Sequence, residues 1–487
     1  MSQEIRNLEP QVLWNKFADL NAVPRPSKKE DRVIAFMKDF GTKLGLETFE
    51  DEIRNVIIRK PATAGMENRK TVVLQGHIDM VHQKNNDTVF DFDTQGIDMY
   101  VDGDWVRAKG TTLGADNGLG VAAIMAILES SDIAHPALEA LFTIDEETGM
   151  TGAFNLKAGV LKGEILLNLD TEEDDEIGIG CAGGLDVTAV AEYDEEETPE
   201  GSVGYTITVK GLKGGHSGMD IHRGLGNANK IMNRILFDAF DNFGLQISEI
   251  KGGSLRNAIP RESVAKVIIA AVYDEAFVFD MQQVVNEIKY EFKTTEPTLE
   301  VVFEKLKKTP KSVMPPMAQY YFVRSMYAAH NGVYSMSADF DKLVETSNNI
   351  AIVVVGEGKL EVKCLTRSSV ESAKNDLATA IQSSFELMGC EVEFGGSYPG
   401  WNPNPDSEIL KVLLPIYEKQ NNEKPKVAAC HAGLECGILG INYPDMDMIS
   451  FGPTILGAHS PDERASISSS QKFWKFLVEV LGNIPLK

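Results

Sequence analysis

The chain has 487 residues, 43% of them apolar, and its 47 basic and 72 acidic side chains leave a formal charge of −25. That length exceeds one ordinary hydrophobic core, so two or three domains are expected, and the acidic balance argues against nucleic acid or an anionic membrane as a partner. The start, MSQEIRNLEPQVLW, has no basic-then-apolar signal pattern and no run of about 18 apolar residues follows, which gives the expectation of a soluble, cytoplasmic protein.

From residue 1 to about 185 the pattern alternates helix and strand, as in an α/β layer structure. Residues 29–45 have helical apolar spacing and stop at a glycine. Strand-like runs follow at 55–59 (NVIIR), 71–75 (TVVLQ), 138–144 (LEALFTI) and 164–169 (EILLNL), and NGLGVAAIMAILESS at 117–131 reads as a buried helix entered through a Gly-rich turn. Acidic stretches at 172–176 and 194–197 bracket a change in composition, and a domain boundary is placed near 187. Strands are then expected at 203–210, 263–272, 299–304, 347–355 and 360–366, with helices at 227–243, 276–292 and 371–388. After about 395 the first pattern resumes, with a helix at 405–420, a strand at 447–451 and a closing helix at 468–484. The simplest architecture is an α/β catalytic domain in two pieces, 1–186 and 396–487, with an α+β domain at 187–395 inserted into it. Five cysteines (Cys181, Cys364, Cys390, Cys430, Cys436), an odd count without a CxxC pair, are read as reduced and mostly buried thiols.

Open α/β sheets place ligands beyond the carboxyl ends of their strands, so the residues after each apolar run carry the most information. TVVLQG runs into His77, and Asp79, two positions on, falls on the same side of an extended chain, where it can brace the ring. LEALFTI is followed by Asp145, Glu146 and Glu147, EILLNL by Asp170, and DMISFGPTILGA by His459; Asp116 lies in GTTLGADNGLG, at the turn entering a helix. Any one of these taken singly reads as a cap or a solvated side chain. Together His77, Asp116, Glu147, Asp170 and His459 are imidazoles and carboxylates expected at one rim of one sheet. This donor set suits a divalent transition ion, zinc above all, and suffices for two ions if one carboxylate bridges. Of the adjacent pair Glu146 and Glu147, one can bind metal while the other takes a proton from water.

HIDM (77–80), GTTLGADNGLG (110–120), DEETGMTGAF (145–154), NLDTEE (168–173) and GAHSPDE (457–463) resemble the co-catalytic zinc peptidase family that includes peptidase T, acetylornithine deacetylase and carboxypeptidase G. GGHSGMDIHRGLGNANK (214–230), GGSLRNAIPRE (252–262) and HAGLECG (431–437) are similar to its aminoacyl-histidine dipeptidase branch, the cytosol non-specific dipeptidases, nearly end to end. The resemblance implies a zinc-peptidase-like mixed sheet flanked by helices, with the inserted domain acting as a lid and dimerisation unit. It implies two divalent metal ions per subunit, Zn2+ with Co2+ or Mn2+ as alternatives, with Asp116 bridging. His77 and Asp170 then complete one site, and Glu147 and His459 the other. Glu146 is then the general base, Asp79 the partner of His77, and the Asp116–Asn117 peptide cis. The expected activity is hydrolysis of dipeptides, Xaa-His dipeptides such as β-alanyl-histidine included; a tripeptidase, carboxypeptidase or N-acyl-amino-acid deacylase of the same fold is the alternative.

In the inserted domain, His216 in LKGGHSGMDIHRG reads equally as part of a flexible loop or of a site. By resemblance it reaches an active site, that of the partner subunit in a homodimer, to stabilise an oxyanion. Asn257 in RNAIP resembles a lid contact to substrate, and is otherwise a turn residue before a proline. Arg367 is a candidate bidentate clamp for the free carboxylate of a dipeptide, or else an arginine at a strand end. His431 and Glu435 line a specificity pocket or serve packing. Two readings lie outside this family: a two-carboxylate glycosidase using Glu146 and Asp170, which leaves both histidines unexplained, and a metal-binding assembly protein with an inactive site.

Overall fold

Four apolar runs form the parallel centre of a sheet. Val72–His77 pairs in parallel with Leu138–Thr143 on one side and Ile165–Asn168 on the other, and Ile165–Asn168 pairs in parallel with Asp447–Ser450. Val72–His77, Leu138–Thr143 and Ile165–Asn168 are buried at every position, as expected for strands covered on both faces. The computed structural model describes residues 3–85, 87–340, 342–431 and 433–487. Outside the parallel centre, Glu47–Glu50 and Val56–Lys60 extend the sheet antiparallel at one edge, and Glu176–Cys181 and Lys426–Cys430 extend it at the other.

Contacts divide the chain into two units. One comprises the residues up to Gly180 with Pro403–Ala429 and Leu434–Lys487, and holds this eight-stranded sheet. The helix Ala115–Glu129 is apolar around its whole circumference because it lies between the Gln11–Asn21 helix and the Val72–His77 strand. Each of its fully buried aliphatic side chains contributes roughly 1.5–3 kcal/mol through burial. Glycines on both elements permit the close approach: a Cβ on Gly120 of the helix would lie 2.4 Å from the Leu169 carbonyl oxygen, and one on Gly76 of the strand would lie 2.3 Å from Asn117 Oδ1.

The other unit comprises Cys181–Asn402 and Cys430–Gly433. Its sheet runs Glu300–Lys305, Ser202–Lys210, Ser263–Ala270, Gln246–Gly252, Val344–Gly356, Lys359–Ser368, Gly183–Glu192, Glu391–Tyr398, with Gly332–Met336 also on Val344–Gly356. The pairings described are antiparallel. The helices Ala228–Phe243, Asp274–Glu291, Pro316–Ala328 and Glu371–Glu386 contribute Ile235, Phe277, Phe322 and Phe385 to one hydrophobic core with this sheet.

The expected runs at 203–210, 263–272, 299–304, 347–355 and 360–366 are strands of this sheet. Gly183–Glu192 was not anticipated. A boundary at 187 divides that strand, whereas it pairs along its length with Lys359–Ser368, so the contact-based unit begins before it. The architecture is mixed α/β in the first unit and α+β in the second. Among the described residues no helix is long and apolar enough to cross a membrane.

Candidate metal centre

Strand register aligns the ends from which the acidic residues emerge. His77 lies opposite Thr143, and Gln75 opposite Asn168, so Asp79, the Asp145–Glu147 segment and Asp170 leave the sheet at one edge. Asp116 opens the Ala115–Glu129 helix, and its peptide bond to Asn117 is cis. His459 departs from expectation: it does not extend the Asp447–Ser450 strand. Gly452 and Pro453 end that run, and His459 lies in the loop between Ile455–Leu456 and Arg464–Ser466, two strands of a separate four-stranded sheet. There it adopts a left-handed φ of +64°.

These segments converge. His77 Nε2 lies 3.1 Å from Asp116 Oδ1, 3.5 Å from Asp170 Oδ1 and 3.9 Å from Glu146 Oε2. His459 Nε2 lies 3.1 Å from Asp116 Oδ2 and 2.9 Å from Glu147 Oε2. Three overlapping groups result, each with ligand atoms within 4.8 Å of one another: His77–Glu146–Glu147 and, built from the five expected ligands, His77–Asp116–Asp170 and Asp116–Glu147–His459. Asp116 belongs to both of the latter, one oxygen toward each imidazole. On the far side of His77, Asp79 Oδ1 is 3.4 Å from Nδ1, and the Asp79 carboxylate accepts the backbone N–H groups of Glu146 (3.0 Å) and Glu147 (3.3 Å). Asp79 thereby links the first histidine to the paired glutamates.

The donor set suits a divalent cation. Buried Asp170 Oδ1 has no hydrogen-bond partner among the described residues, and carboxylates outnumber the histidines that face them. Without an ion, protons must supply the missing positive charge. Hydrogen bonds to Asp116 and Glu147 push His459 up to about 11. Burial opposes a charge on His77, yet Asp170 and Asp116 outweigh it and carry its pKa well above the ordinary value. Burial lifts Asp170 to about 6 and Glu172, a carboxyl beside the cluster that the motif reading did not single out, to about 8. Glu146 is raised well above a solvated glutamate by burial, with Asp170, Glu435 and Glu147 adding to it against His77. Imidazole and carboxylate ligands bind metal in their deprotonated forms, so an ion would displace these protons.

A second convergence lies within the other unit. His216, on the short strand Gly215–His216, pairs with Ala258, and Ser217 N–H donates to the Asn257 carbonyl (2.8 Å). The His216 Nδ1 accepts the backbone N–H groups of Met219 (3.0 Å) and Gly218 (3.2 Å), and burial, then Arg367, lowers its pKa to about 4. The ring is therefore neutral at pH 7, and with Nδ1 accepting, its proton resides on Nε2. Arg367 is 4% exposed and donates to Tyr398 Oη (2.7 Å) and Ser217 Oγ (3.4 Å), with no carboxylate in ion-pair reach among the described residues. His431 is buried and pairs with Ser347 Oγ at 2.8 Å. A Cβ on Gly218 would lie 1.9 Å from the His431 carbonyl oxygen, which accounts for the glycine at that turn. Tyr398, Ser217 and Ser347 were not expected from sequence, because hydroxyl partners leave no spacing signature.

The family model for Peptidase family M20/M25/M40 matches residues 73–483. The chain belongs to this family. It is 43% identical over 488 residues to the cytosol non-specific dipeptidase of Escherichia coli strain K12, covering 99% of this chain and 100% of that protein. The crystal structure of aminoacylhistidine dipeptidase from Vibrio alginolyticus superposes with a TM-score of 0.94 at 45% identity, covering 100% of this chain and 99% of that one. The aminopeptidase PepT from Bacillus cereus, at 16% identity and a TM-score of 0.58 over 98% of this chain and 99% of its own, shares the fold.

In this M20/M25/M40 peptidase chain, Glu435 lies beneath the metal-ligand groups and does not line an open surface. It is fully buried at the start of the Glu435–Asn442 helix, and its Oε2 accepts from Gln75 Nε2 (2.6 Å) and Thr143 Oγ1 (2.7 Å). Asn168 and Ser450 continue the polar chain across the ends of the parallel strands. Burial raises Glu435 to about 7, with His77 and the Thr143 hydrogen bond opposing. The proton has a place on Oε1, which lacks a hydrogen-bond partner among the described residues. The folded protein then holds this proton above the usual value of 4.5 while the unfolded chain releases it, so the contribution of Glu435 to stability falls as pH rises from 4.5 to about 7. Glu435→Gln should remove that slope from the metal-free protein. Melting curves of both proteins across this range check it, and parallel pH dependences would count against it.

Proposed function

We propose that this protein is a metal-dependent dipeptidase that holds two divalent ions, zinc by preference, and cleaves unblocked dipeptides, Xaa-His dipeptides such as β-alanyl-histidine included. The observation that carries this reading is the position of Asp116, each carboxylate oxygen 3.1 Å from a different histidine. Family membership and the full-length similarity to a cytosol non-specific dipeptidase support it. His77, Asp116 and Asp170 would hold one ion and Asp116, Glu147 and His459 the other. Bound there, the ions supply Lewis-acid activation of water and of the scissile carbonyl.

The chain's own residues do the rest. Glu146, partly buried beside His77, takes a proton from the attacking water as its oxygen adds to the scissile carbonyl. It then delivers that proton to the leaving amine nitrogen. Asp79 keeps His77 oriented and, through two backbone N–H groups, fixes the turn carrying Glu146. Across the homodimer, His216 would donate its Nε2–H to the oxyanion developing in the partner subunit's site, a role suited to a neutral imidazole of fixed tautomer. Arg367 binds the substrate's α-carboxylate, with Asn257 and His431 contributing contacts beside it. We place the protein in the cytoplasm as a homodimer; a light-scattering mass near one chain would remove the dimer.

The deciding experiment is product analysis of zinc-loaded protein on β-alanyl-histidine, ordinary dipeptides, matching tripeptides and N-acetyl amino acids. Cleavage confined to unblocked dipeptides is expected. Turnover of tripeptides or acetylated compounds instead would overturn the substrate class while leaving the metal chemistry standing. For the carboxylate clamp, Arg367→Lys is expected to raise KM roughly 30-fold, about 2 kcal/mol for a lost charge-assisted hydrogen bond, with a smaller change in kcat. Dipeptide amides, which lack the carboxylate, should be affected little by the substitution; an equal loss on both substrates would sink the clamp.

A further inference from the structure

Glu463, four residues after His459, is 2% exposed and supplies no ligand atom to the ion-binding groups. Its carboxylate accepts four successive backbone N–H groups of the turn that carries Asp116. Oε2 takes those of Leu113 (2.6 Å) and Gly114 (2.9 Å), and Oε1 those of Ala115 (2.7 Å) and Asp116 (3.3 Å). Gly114, at φ +69°, allows the turn to curl round the carboxylate. From the carbonyl side Arg25, 1% exposed, donates to Gly114 O (2.5 Å), Asp79 O (2.9 Å) and Ile78 O (3.3 Å).

Glu463 also terminates the loop that presents His459. Ser460 Oγ donates to Gly457 O (2.7 Å), and Glu463 N–H donates to Ser460 O (3.0 Å). The His459 side chain is 56% exposed, so packing holds it weakly, and the anchoring of its loop must set its position. One buried carboxylate therefore ties the segments that supply Asp116 and His459.

We propose that Glu463 is a positioning residue that fixes Asp116 and His459 at the spacing needed to share an ion, so that its loss weakens the Asp116–Glu147–His459 site, which takes two ligands from the tied segments, more than the His77–Asp116–Asp170 site, which takes one. This rests on the two-ion reading above. The experiment is calorimetric titration of full-length, metal-free protein with zinc chloride, comparing wild type, Glu463→Gln and Glu139→Gln. In Glu463→Gln an amide NH2 faces backbone donors, and the turn loses half its acceptors. Glu139 is the structural control: it is buried and accepts the N–H groups of Lys162 (2.6 Å) and Gly163 (2.9 Å), but near the start of the Leu138–Thr143 strand, away from the donor groups.

Wild type is expected to bind two equivalents. Glu463→Gln should bind one equivalent at least ~10-fold more weakly, the range for residues that orient metal ligands, and the other with a smaller loss. Glu139→Gln should bind both normally, whatever its melting temperature. Native affinity for both equivalents in Glu463→Gln, or equal weakening in both variants, overturns the proposal. A wild-type stoichiometry below two overturns the two-ion reading and this proposal with it. If Glu463→Gln does not fold, Glu463→Asp, which keeps the charge but draws its oxygens back from the turn, is titrated instead. The same unequal weakening is expected, and unchanged binding of both equivalents would again overturn the proposal.

Discussion

Glu146→Gln is expected to lower turnover by about 10²–10⁴-fold, the usual contribution of a positioned general base, while leaving metal content unchanged. Glutamine has nearly the same shape and can keep the local packing, but its amide does not accept and return a proton. The expectation has a structural basis in the separation of the two adjacent glutamates. Glu147 Oε2 is 2.9 Å from His459 and shares an ion-binding group with it and Asp116, whereas Glu146, with Oε2 3.9 Å from His77, groups with His77 and Glu147 and not with the bridging Asp116. Steady-state kinetics with metal analysis on the same sample provide the check. Near-normal turnover would remove Glu146 from its role, and loss of metal would make it a ligand instead.

Asp116→Ala should have the broader effect. Asp116 is the residue common to both the His77–Asp116–Asp170 and the Asp116–Glu147–His459 groups, so its removal deprives both positions of a ligand at once. It also leaves two histidines without the carboxylate that faces each of them at 3.1 Å. Both zinc equivalents should be lost at micromolar metal, and activity should fall on the order of 10³-fold or more, equivalent to roughly 4 kcal/mol of transition-state stabilisation. His459→Ala, by contrast, removes a ligand from one group only and should retain one equivalent. Equal metal contents in the two variants would show that Asp116 does not bridge.

Much of this centre was legible in the chain because its donors follow apolar runs that can only be buried strands. TVVLQG, LEALFTI and EILLNL each end in chemistry-bearing residues, and the sheet that unites those runs aligns their ends. His459 was legible as a residue but not as a position: GPTIL separates it from its strand, and short two- and three-residue strands carry too few side chains to show a period. Glu463 closes a recognised motif, but nothing in the sequence sets it apart from other acidic residues. Arg25 had no motif at all. Both bind backbone atoms, and backbone acceptors and donors are the same at every position of a sequence.

The amino-acid sequence by itself determined the kinds of donor, their order along the chain, the apolar strands that bring most of them to one edge, and the family. It also determined that the acidic chain would carry two bodies of different composition. Only tertiary structure decided which oxygen of Asp116 faces which histidine, that His459 arrives on a separate hairpin, and that Glu435 is buried under the strand ends. Periodicity records which side of an element a residue faces, because burial repeats with the backbone. Distances between donors from segments hundreds of residues apart depend on register and on side-chain-to-backbone hydrogen bonds, which leave no repeating mark in the sequence.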